Sequence, residues 1–369
     1  MREKPRSQFL FESACTTDAT LSTYTSLLNQ FLRWVHKDHE SLLLLPDDQL
    51  NILLEDYVIF MKKRHPRSTI KVHLAAINKF LIINDRKVNS KKLAMFLPGE
   101  SRPGGERAIT TDEIQRMLSH VGTKRAKAII NLFAATGSRP EALCDLKIKH
   151  VEQMTDDCKS LILYADSTHE FTTFLHSEAS KALDDYFEVR RQKGEYLRGE
   201  SFVIGRDTFI VNEKKPRPVT VNSLESSLTH AMNRAGIKRI KNGNRYDLAV
   251  CGGFRKRFDT IMKINPNISY AIAEKMMDHK IRMEGHYFKP TKDELFTEYK
   301  KAIPELTIDD STRKQIQLAK VLEEKSELVK ERETINLMKT EQEEKNRKLT
   351  LMLDHMEKRL AKLEHQEQT

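Results

Sequence analysis

Four side chains that can act on a phosphodiester lie in three short polar segments. Arg139 lies in TGSRP, Arg255 lies in GGFRKR, and His279 and Tyr287 share DHKIRMEGHYFKP. An arginine donates two parallel hydrogen bonds to a phosphate and stays charged, so it can stabilise the transition state without a metal ion. A tyrosine phenol can form a stable phosphate ester, and a histidine can transfer a proton. These residue types predict transfer of a phosphodiester to a protein hydroxyl.

The segments that hold these residues are predicted to be helix ends and turns. Thr110-Thr111-Asp112-Glu113 is a capping box that begins one helix, and a second helix, Lys124 to Thr136, ends in a glycine turn. The segment from Ser269 has helical amphipathic spacing, and Pro290 discourages any helix that would continue past Tyr287. Residues at such ends can converge on one phosphate although they are far apart in the sequence.

The other elements between residues 109 and 308 are predicted to be mixed. Alternating residues predict a β-hairpin with strands at 160–165 and 170–175 and its tip at 166–169. Further predictions are helices at 177–193 and 222–234, short strands at 202–204 and 209–211, and a basic loop at 238–245. The predicted fold class is therefore mainly α with a small β-sheet (α+β).

Three apolar stripes at helical spacing come first in the chain, over residues 20–38, 50–63 and 68–83. They predict a small helical bundle within residues 15–96. Its polar side is biased to positive charge with few acids between, which favours contact with phosphates. The candidate DNA-binding residues are Lys62, Lys63, Arg64, Arg67 and Lys71 in the bundle, with Lys256 and Arg257 in GGFRKR.

The net charge of the 369-residue chain is +10. Residues 310–369 hold 13 acidic and 13 basic residues, so the whole excess lies in the first 309. This distribution predicts a polyanionic partner, double-stranded DNA, for the front of the chain.

The four cysteines are scattered without a CxxC pair, which indicates an intracellular chain without a disulfide framework. The sequence shows no signal peptide and no apolar run of membrane-spanning length. We therefore expect no membrane partner, and a cytoplasmic location that becomes nucleoid-associated on DNA.

Other phosphate chemistries lack their residues. Glu200 stands where a P-loop requires a lysine, and an acid there would repel phosphate. The acidic pairs Asp156-Asp157 and Asp184-Asp185 have no third carboxylate at an obvious spacing, and no HExxH pattern occurs. We expect neither a metal nor another cofactor.

The C-terminal residues 309–369 are predicted to form one charged helix. Apolar residues, with one glutamine among them, recur every seven positions at Val321, Leu328, Ile335, Gln342, Leu349, Met356 and Leu363. This repeat is typical of a coiled coil. Lys325, Arg332, Lys339 and Asn346 occupy companion positions and weaken the middle of the seam. Self-association and a single solvated helix both remain consistent with this pattern.

The three polar segments resemble the motifs of the tyrosine recombinase (phage integrase) family, in wording closest to archaeal integrases. AATGSRPEALCDLK resembles the first-arginine motif and GGFRKRFDT resembles the HxxR motif. MMDHKIRMEGHYFKP resembles the final motif that runs from histidine to the nucleophilic tyrosine. The resemblance covers residues 15–308 and does not account for the C-terminal helix.

The resemblance implies a domain order and a reaction. Residues 1–97 would be a helical core-binding domain that clamps DNA, 98–108 a linker, 109–308 the catalytic domain, and 309–369 the charged helix. Tyr287 would attack the scissile phosphate and form a 3′-phosphotyrosyl link, while Arg139, Arg255 and His279 stabilise the pentavalent state. Four protomers would act on two DNA sites.

The sequence departs from the family pattern at three positions. Gly252 stands where the HxxR motif has its histidine, and Ala142 stands where an acid usually follows the first arginine. The family's hairpin lysine would fall near His169, which can perform the same protonation. His286, beside Tyr287, is a further candidate for proton transfer.

These departures leave two alternatives open. One is a DNA-binding relative that no longer cuts, which Gly252 and the missing hairpin lysine favour. The other is a type IB topoisomerase-like strand transferase, whose catalytic residues are similar. Both predict DNA binding. The relative that no longer cuts would form no covalent adduct, and the topoisomerase-like enzyme would relax supercoils without a recombined product.

Overall fold

The structure is a computed structural model that describes residues 4–100, 107–206, 218–242, 245–279 and 287–367. The chain divides into two units, Met1–Pro103 and Gly104–Thr369. None of the described helices is long and apolar enough to cross a membrane.

The first unit is all helical. Its helices are α1 (Arg6–Ser13), α2 (Asp18–Trp34), α3 (His39–Leu43), α4 (Asp47–Lys62), α5 (Arg67–Ile83) and α6 (Ser90–Phe96). The apolar stripes of α2, α4 and α5 meet in one core that contains Phe31, Leu54 and Phe80. The three predicted helices are confirmed, whereas the short α1, α3 and α6 carry too little periodicity to be predicted.

The second unit is mixed. Its elements are α7 (Thr111–His120), α8 (Lys124–Thr136), α9 (Pro140–Cys144), a 3-10 turn (Ile148–His150), β1 (Val151–Gln153), β2 (Lys159–Leu163), β3 (Phe171–Leu175), α10 (Ser177–Gln192), α11 (Val221–Arg234), β4 (Lys241–Asn242), β5 (Arg245–Tyr246), α12 (Val250–Ile264), α13 (Tyr270–Lys275), α14 (Lys292–Leu306) and α15 (Asp310–Glu367). The mainly α prediction with a small sheet is confirmed.

The sheet is antiparallel, in the order β1-β2-β3, and Leu161 pairs with both Val151 and Thr173. The predicted hairpin is therefore present, with a third strand that the sequence pattern did not indicate. Residues 202–204 contribute an isolated bridge from Phe202 to Lys147 rather than a strand. The predicted strand at 209–211 lies outside the described residues. The predicted loop at 238–245 instead contains the short β4–β5 ladder.

Two apolar cores lie in the second unit. The larger surrounds α8, whose residues from Ala128 to Thr136 are all buried. The smaller is formed by α12, α13 and α14 around Phe174, Phe258 and Tyr299. The hydroxyl of Tyr299 donates to the Ala135 carbonyl at 3.0 Å, which fixes the end of α8 against α14. The end of α8 leads directly into the turn that holds Arg139, a residue of the candidate site.

The helix α15 extends from α14 with little packing. From Val321 onward every described side chain is exposed, including Val321, Leu328, Ile335 and Leu349 of the predicted seam. In a coiled coil, the apolar residues of such a seam are buried against a second helix.

Candidate active site

Arg139 is positioned by the glycine turn that ends α8. Gly137 has φ +57°, and a Cβ there would lie 2.6 Å from the Phe258 Cβ, so only glycine fits. Pro140 then begins α9, because proline is accepted at the first helical position. Arg139 lies between the two helices, and its side chain is partly exposed.

Arg255 joins the three polar segments. It lies on α12, and its guanidinium donates from Nη1 to the Gly137 carbonyl at 3.0 Å and from Nη2 to the Met277 carbonyl at 2.6 Å. The same Nη2 lies 2.8 Å from His279 Nε2. Burial, together with the nearby charge of Arg139, lowers the pKa of Arg255 below its ordinary value. An incoming anion would relieve this repulsion between two guanidinium groups.

His279 is held from its other side by a carboxylate. Its Nδ1 lies 3.1 Å from Oε1 of Glu274, on α13. The Lys263 ammonium contacts the same Glu274 oxygen, and the ammonium also contacts Asp259 Oδ1 at 2.6 Å. Although burial alone raises the pKa of Glu274, hydrogen bonds from Lys263 and His279 lower it below its ordinary value. Glu274 is therefore an anion that fixes the His279 ring.

His169 reaches the same cluster from the hairpin tip. Its Nδ1 lies 3.5 Å from Asp278 Oδ2, and that oxygen also accepts from Arg139 Nη1 at 2.9 Å. The His169 side chain is 57% exposed, so it remains accessible to a ligand. The structure therefore brings together Arg139, His169, Arg255 and His279.

Tyr287 is not part of this hydrogen-bonded cluster. It is 93% exposed, and within the described residues its hydroxyl has no hydrogen-bond partner. It borders a surface depression that Ile272, Asp293 and Thr297 also line, beside α14. His286 lies outside the described residues. The phenol is thus open to solvent rather than sealed in a core, and it does not contact either arginine.

Comparison with known proteins gives the family of this arrangement. The phage integrase family model matches residues 107–294, just over half of the chain. The chain belongs to the phage integrase family. No curated protein has a sequence that matches this chain.

Several solved recombinase structures are similar to this chain. A lambda integrase tetramer bound to a Holliday junction is 14% identical to this integrase-family chain, with a TM-score of 0.51 and 78% of each chain covered. XerA recombinase is 19% identical, with a TM-score of 0.38, and covers 80% of this chain and 97% of its own. XerH recombinase bound to its difH substrate is 14% identical, with a TM-score of 0.46, and the match covers 63% of this chain and 64% of the XerH chain. The lambda integrase match supports the integrase fold.

Two predicted DNA-binding residues of this family member have different surroundings. Lys256 is exposed on α12. Arg257 is 4% exposed, and its Nη2 donates to the Glu305 carbonyl at 2.8 Å and to Thr111 Oγ1 at 3.1 Å. Burial, together with the charge of Arg313, lowers the pKa of Arg257 to about 10. The prediction that Arg257 contacts DNA is therefore corrected, since its guanidinium is enclosed between α7, α12 and α14.

Gly252 leaves the first turn of α12 without a side chain at the site. A Cβ at Gly252 would lie 3.1 Å from the Ala249 Cβ, a tight contact. At the neighbouring Gly253 a Cβ would lie 2.5 Å from Leu248 Cδ1, so a side chain there would have to displace that leucine. The site therefore has no imidazole at position 252, and the described histidines near it are His169 and His279.

The basic residues of the first unit cluster at the turn between α4 and α5. Lys62, Lys63, Arg64 and Lys71 are exposed, and none forms an ion pair with another described residue. Arg67 is half-buried and donates to the Pro98 carbonyl at 3.1 Å. In contrast, Lys92 pairs with Glu55 at 2.6 Å. The charge at the α4–α5 turn is thus open to an anionic partner.

Asp259, Glu274 and His279 bring three possible metal-ligand atoms within 4.8 Å of one another. The Lys263 ammonium contacts both carboxylates of this group. Because a cation already occupies the position between them, the cluster is better suited to orienting His279 than to holding a metal ion.

Sequence reasoning missed two acids of the site, Glu274 and Asp278. Both acids lie close to His279 in the sequence, since Asp278 precedes it directly and Glu274 lies 5 residues before it. A pattern of residue types cannot show that the Asp278 side chain turns toward Arg139 and the Glu274 side chain toward His279.

Proposed function

We propose that this chain is a site-specific DNA recombinase or integrase that cleaves and rejoins strands through a 3′-phosphotyrosyl intermediate on Tyr287. The observation that carries the proposal is the pair of bonds from Arg255 to the Gly137 and Met277 carbonyls. These bonds join the turn before Arg139 to the turn before His279, and Arg139 itself contacts Asp278, which lies 139 positions further along the chain. Such a set of preorganised donors suits a phosphate in its transition state.

The cleavage step balances with the residues present. The Tyr287 Oη would attack the scissile phosphorus, and the phenol proton would pass to a water molecule, to which this 93% exposed side chain is open. The P–O bond to the 5′ oxygen of the next nucleotide would break, and His169 would protonate that leaving oxygen. Arg139, Arg255 and His279 would stabilise the charge on the non-bridging oxygens. The ester energy is kept, so another strand's hydroxyl can rejoin without ATP or a metal.

We propose duplex DNA as the partner and the α4–α5 turn as part of its binding surface. Lysines and arginines without internal partners release counterions from DNA when they contact phosphates. Because relatives are solved on DNA, one as a tetramer on a Holliday junction, we propose a tetramer on DNA here too. The protein would act in the cytoplasm on the nucleoid. The sequences of its motifs favour a resemblance to archaeal integrases.

We propose that α15 contributes to this assembly by pairing protomers. Its support is the exposed seam at Leu328, Ile335 and Leu349. Deletion of residues 310–369 should lower the oligomeric state on target DNA and leave DNA binding intact. Equal sedimentation of the truncated and full-length complexes would contradict this role.

The test of the function is covalent capture on a nicked suicide duplex from the locus beside the coding sequence. The wild type should form an adduct that survives denaturing electrophoresis, and Tyr287→Phe should form none while it binds the duplex equally well. A Phe variant that still forms adducts would refute the nucleophile.

A second candidate is a DNA-binding relative that does not cut, which the absence of an imidazole at Gly252 favours. Wild-type binding without any adduct would support it. Relaxation of supercoils by single protomers, without recombined product, would instead support a type IB topoisomerase-like activity.

A further inference from the structure

The turn after α13 contacts both arginines with three successive residues. The Met277 carbonyl and His279 Nε2 contact Arg255, and the Asp278 carboxylate between them contacts Arg139. Asp278 is the member of this turn that brings a full negative charge to the site. Its side chain is 21% exposed, so the contact is shielded from solvent on most sides.

The backbone of the turn directs the Asp278 side chain. Asp278 has φ +53°, in the left-handed region that glycine, asparagine and aspartate accept more readily than other residues. The Asp278 amide donates to the Lys275 carbonyl at 3.2 Å, and the His279 amide donates to the Glu274 carbonyl at 3.0 Å. This tight turn aims the carboxylate at Arg139.

The contact uses little of the hydrogen-bonding capacity of Arg139. A guanidinium has five N–H donors in a planar fork. Within the described residues the Arg139 side chain has one hydrogen-bond partner, Asp278, reached through Nη1 at 2.9 Å. Ala142, on the α9 turn after Arg139, is 1% exposed and offers no carboxylate. Asp278 therefore holds one amino group of the fork and, within the described residues, leaves the other donors for a phosphate.

We propose that Asp278 is a positioning residue that acts through Arg139, and that it also orients His169 from 3.5 Å. This inference rests on the proposed strand-transfer function. A phosphate would bind to the remaining edge of the guanidinium, already oriented when the DNA arrives. A misplaced catalytic group loses about 100-fold in rate per ångström, so such orientation affects cleavage more than binding.

The test uses the full-length protein and the nicked suicide duplex. Asp278→Asn removes the charge with little change of shape, and Asp278→Gly removes the side chain where glycine suits the backbone. Both variants should lower the single-turnover cleavage rate by about 10- to 100-fold, with unchanged DNA affinity and melting temperature. In an Arg139→Ala background, Asp278→Asn should cause only a small further loss, because its contact with His169 is then the one contribution that it can still make.

Two kinetic results would overturn the proposal. A faster cleavage rate in Asp278→Asn would show that the carboxylate competes with the phosphate for Arg139. A full additional loss in the Arg139→Ala background would show that Asp278 does not act through Arg139.

Side-chain NMR separates this inference from the proposed function. The Arg139 Nε–H signal, assigned by comparison with Arg139→Lys, should shift in Asp278→Asn. If the wild type forms no adduct, the proposed function fails, and this signal still decides the contact. An unchanged Arg139 signal would overturn the positioning role regardless of activity.

Discussion

The cations at the α4–α5 turn and the cations of the candidate active site are held in opposite ways. Lys62, Lys63 and Lys71 extend into solvent and form no ion pair with a described residue. In the second unit, Arg255 donates to two backbone carbonyls, and Arg139 is held by the Asp278 carboxylate. One region presents charge alone, and the other presents charge at fixed positions.

This difference separates affinity from rate. Unpaired cations attract DNA through counterion release, so their contributions depend on salt and tolerate small displacements. Fixed cations stabilise a developing charge without further reorganisation, so they act mainly on the chemical step. We therefore expect substitutions at the turn to change binding and substitutions in the site to change cleavage.

The largest effect is expected from Arg255→Lys. A lysine keeps the charge but cannot donate to both the Gly137 and Met277 carbonyls and still face a phosphate. The cleavage rate should fall by at least about 100-fold at saturating DNA, with nearly unchanged binding. Single-turnover kinetics on the suicide duplex measure this loss, and a rate close to that of the wild type would contradict the role of Arg255.

Arg257→Lys is the matched control on the same helix. Arg257 is buried and donates to Thr111 and to the end of α14, so its replacement leaves buried groups unpaired. The free energy of unfolding should fall by about 1–3 kcal/mol in urea titrations. Cleavage per folded molecule should stay unchanged, and a selective loss of cleavage would return Arg257 to the site.

The next effect concerns the α4–α5 turn. Replacing Lys62, Lys63 and Arg64 with glutamine should reduce the slope of log affinity against log salt by about 0.9 for each DNA phosphate that the variant no longer neutralises. The cleavage rate at saturating DNA should not change. Lys92→Gln is the control, because Lys92 already pairs with Glu55. An equal slope change in that control would remove the distinction between paired and unpaired cations.

The smallest effect on cleavage is expected from a buried residue of the core, which acts on stability instead. His176 is fully buried at the start of α10, and burial, with the nearby charge of Arg257, lowers its pKa from 6.5 to about 3. Between these values the unfolded chain binds a proton that the folded chain does not. This contribution to stability is therefore complete above pH 6.5 and is lost as the pH falls toward 3, by up to about 1.4 kcal/mol per pH unit.

His176→Asn provides the measurement. Asparagine does not titrate and is accepted at a helix N-cap. The variant's unfolding free energy should decline less steeply than that of the wild type between pH 6.5 and pH 4. Parallel curves would contradict the assignment of this proton uptake to His176.

Local patterns predicted much of the fold and part of the site. The glycine of the α8 turn, the capping box of α7 and the alternation of the hairpin each act over a few residues, so the sequence shows them directly. Arg139, Arg255 and His279 lie in motifs with a defined order, and the structure brings them together. Tyr287 could be predicted as a candidate, but its exposure depends on α13 and α14, which pack through distant residues.

Arg257 shows why one of the predicted DNA-binding residues was wrong. Side chains two residues apart on an α-helix point about 200° apart, so Arg255 and Arg257 cannot both face the same phosphate. The helical period of α12 contained this information, whereas the composition of GGFRKR did not. Asp278 could not be assigned from spacing, because its direction is set by a turn in which its own backbone is left-handed.

Mapping the covalent adduct on the wild-type protein tests the central claim most directly. After capture on the suicide duplex, nuclease digestion and peptide mass spectrometry should locate a nucleotide remnant on Tyr287, joined through the 3′ phosphate. A remnant on another residue, or on a 5′ phosphate, would contradict the account.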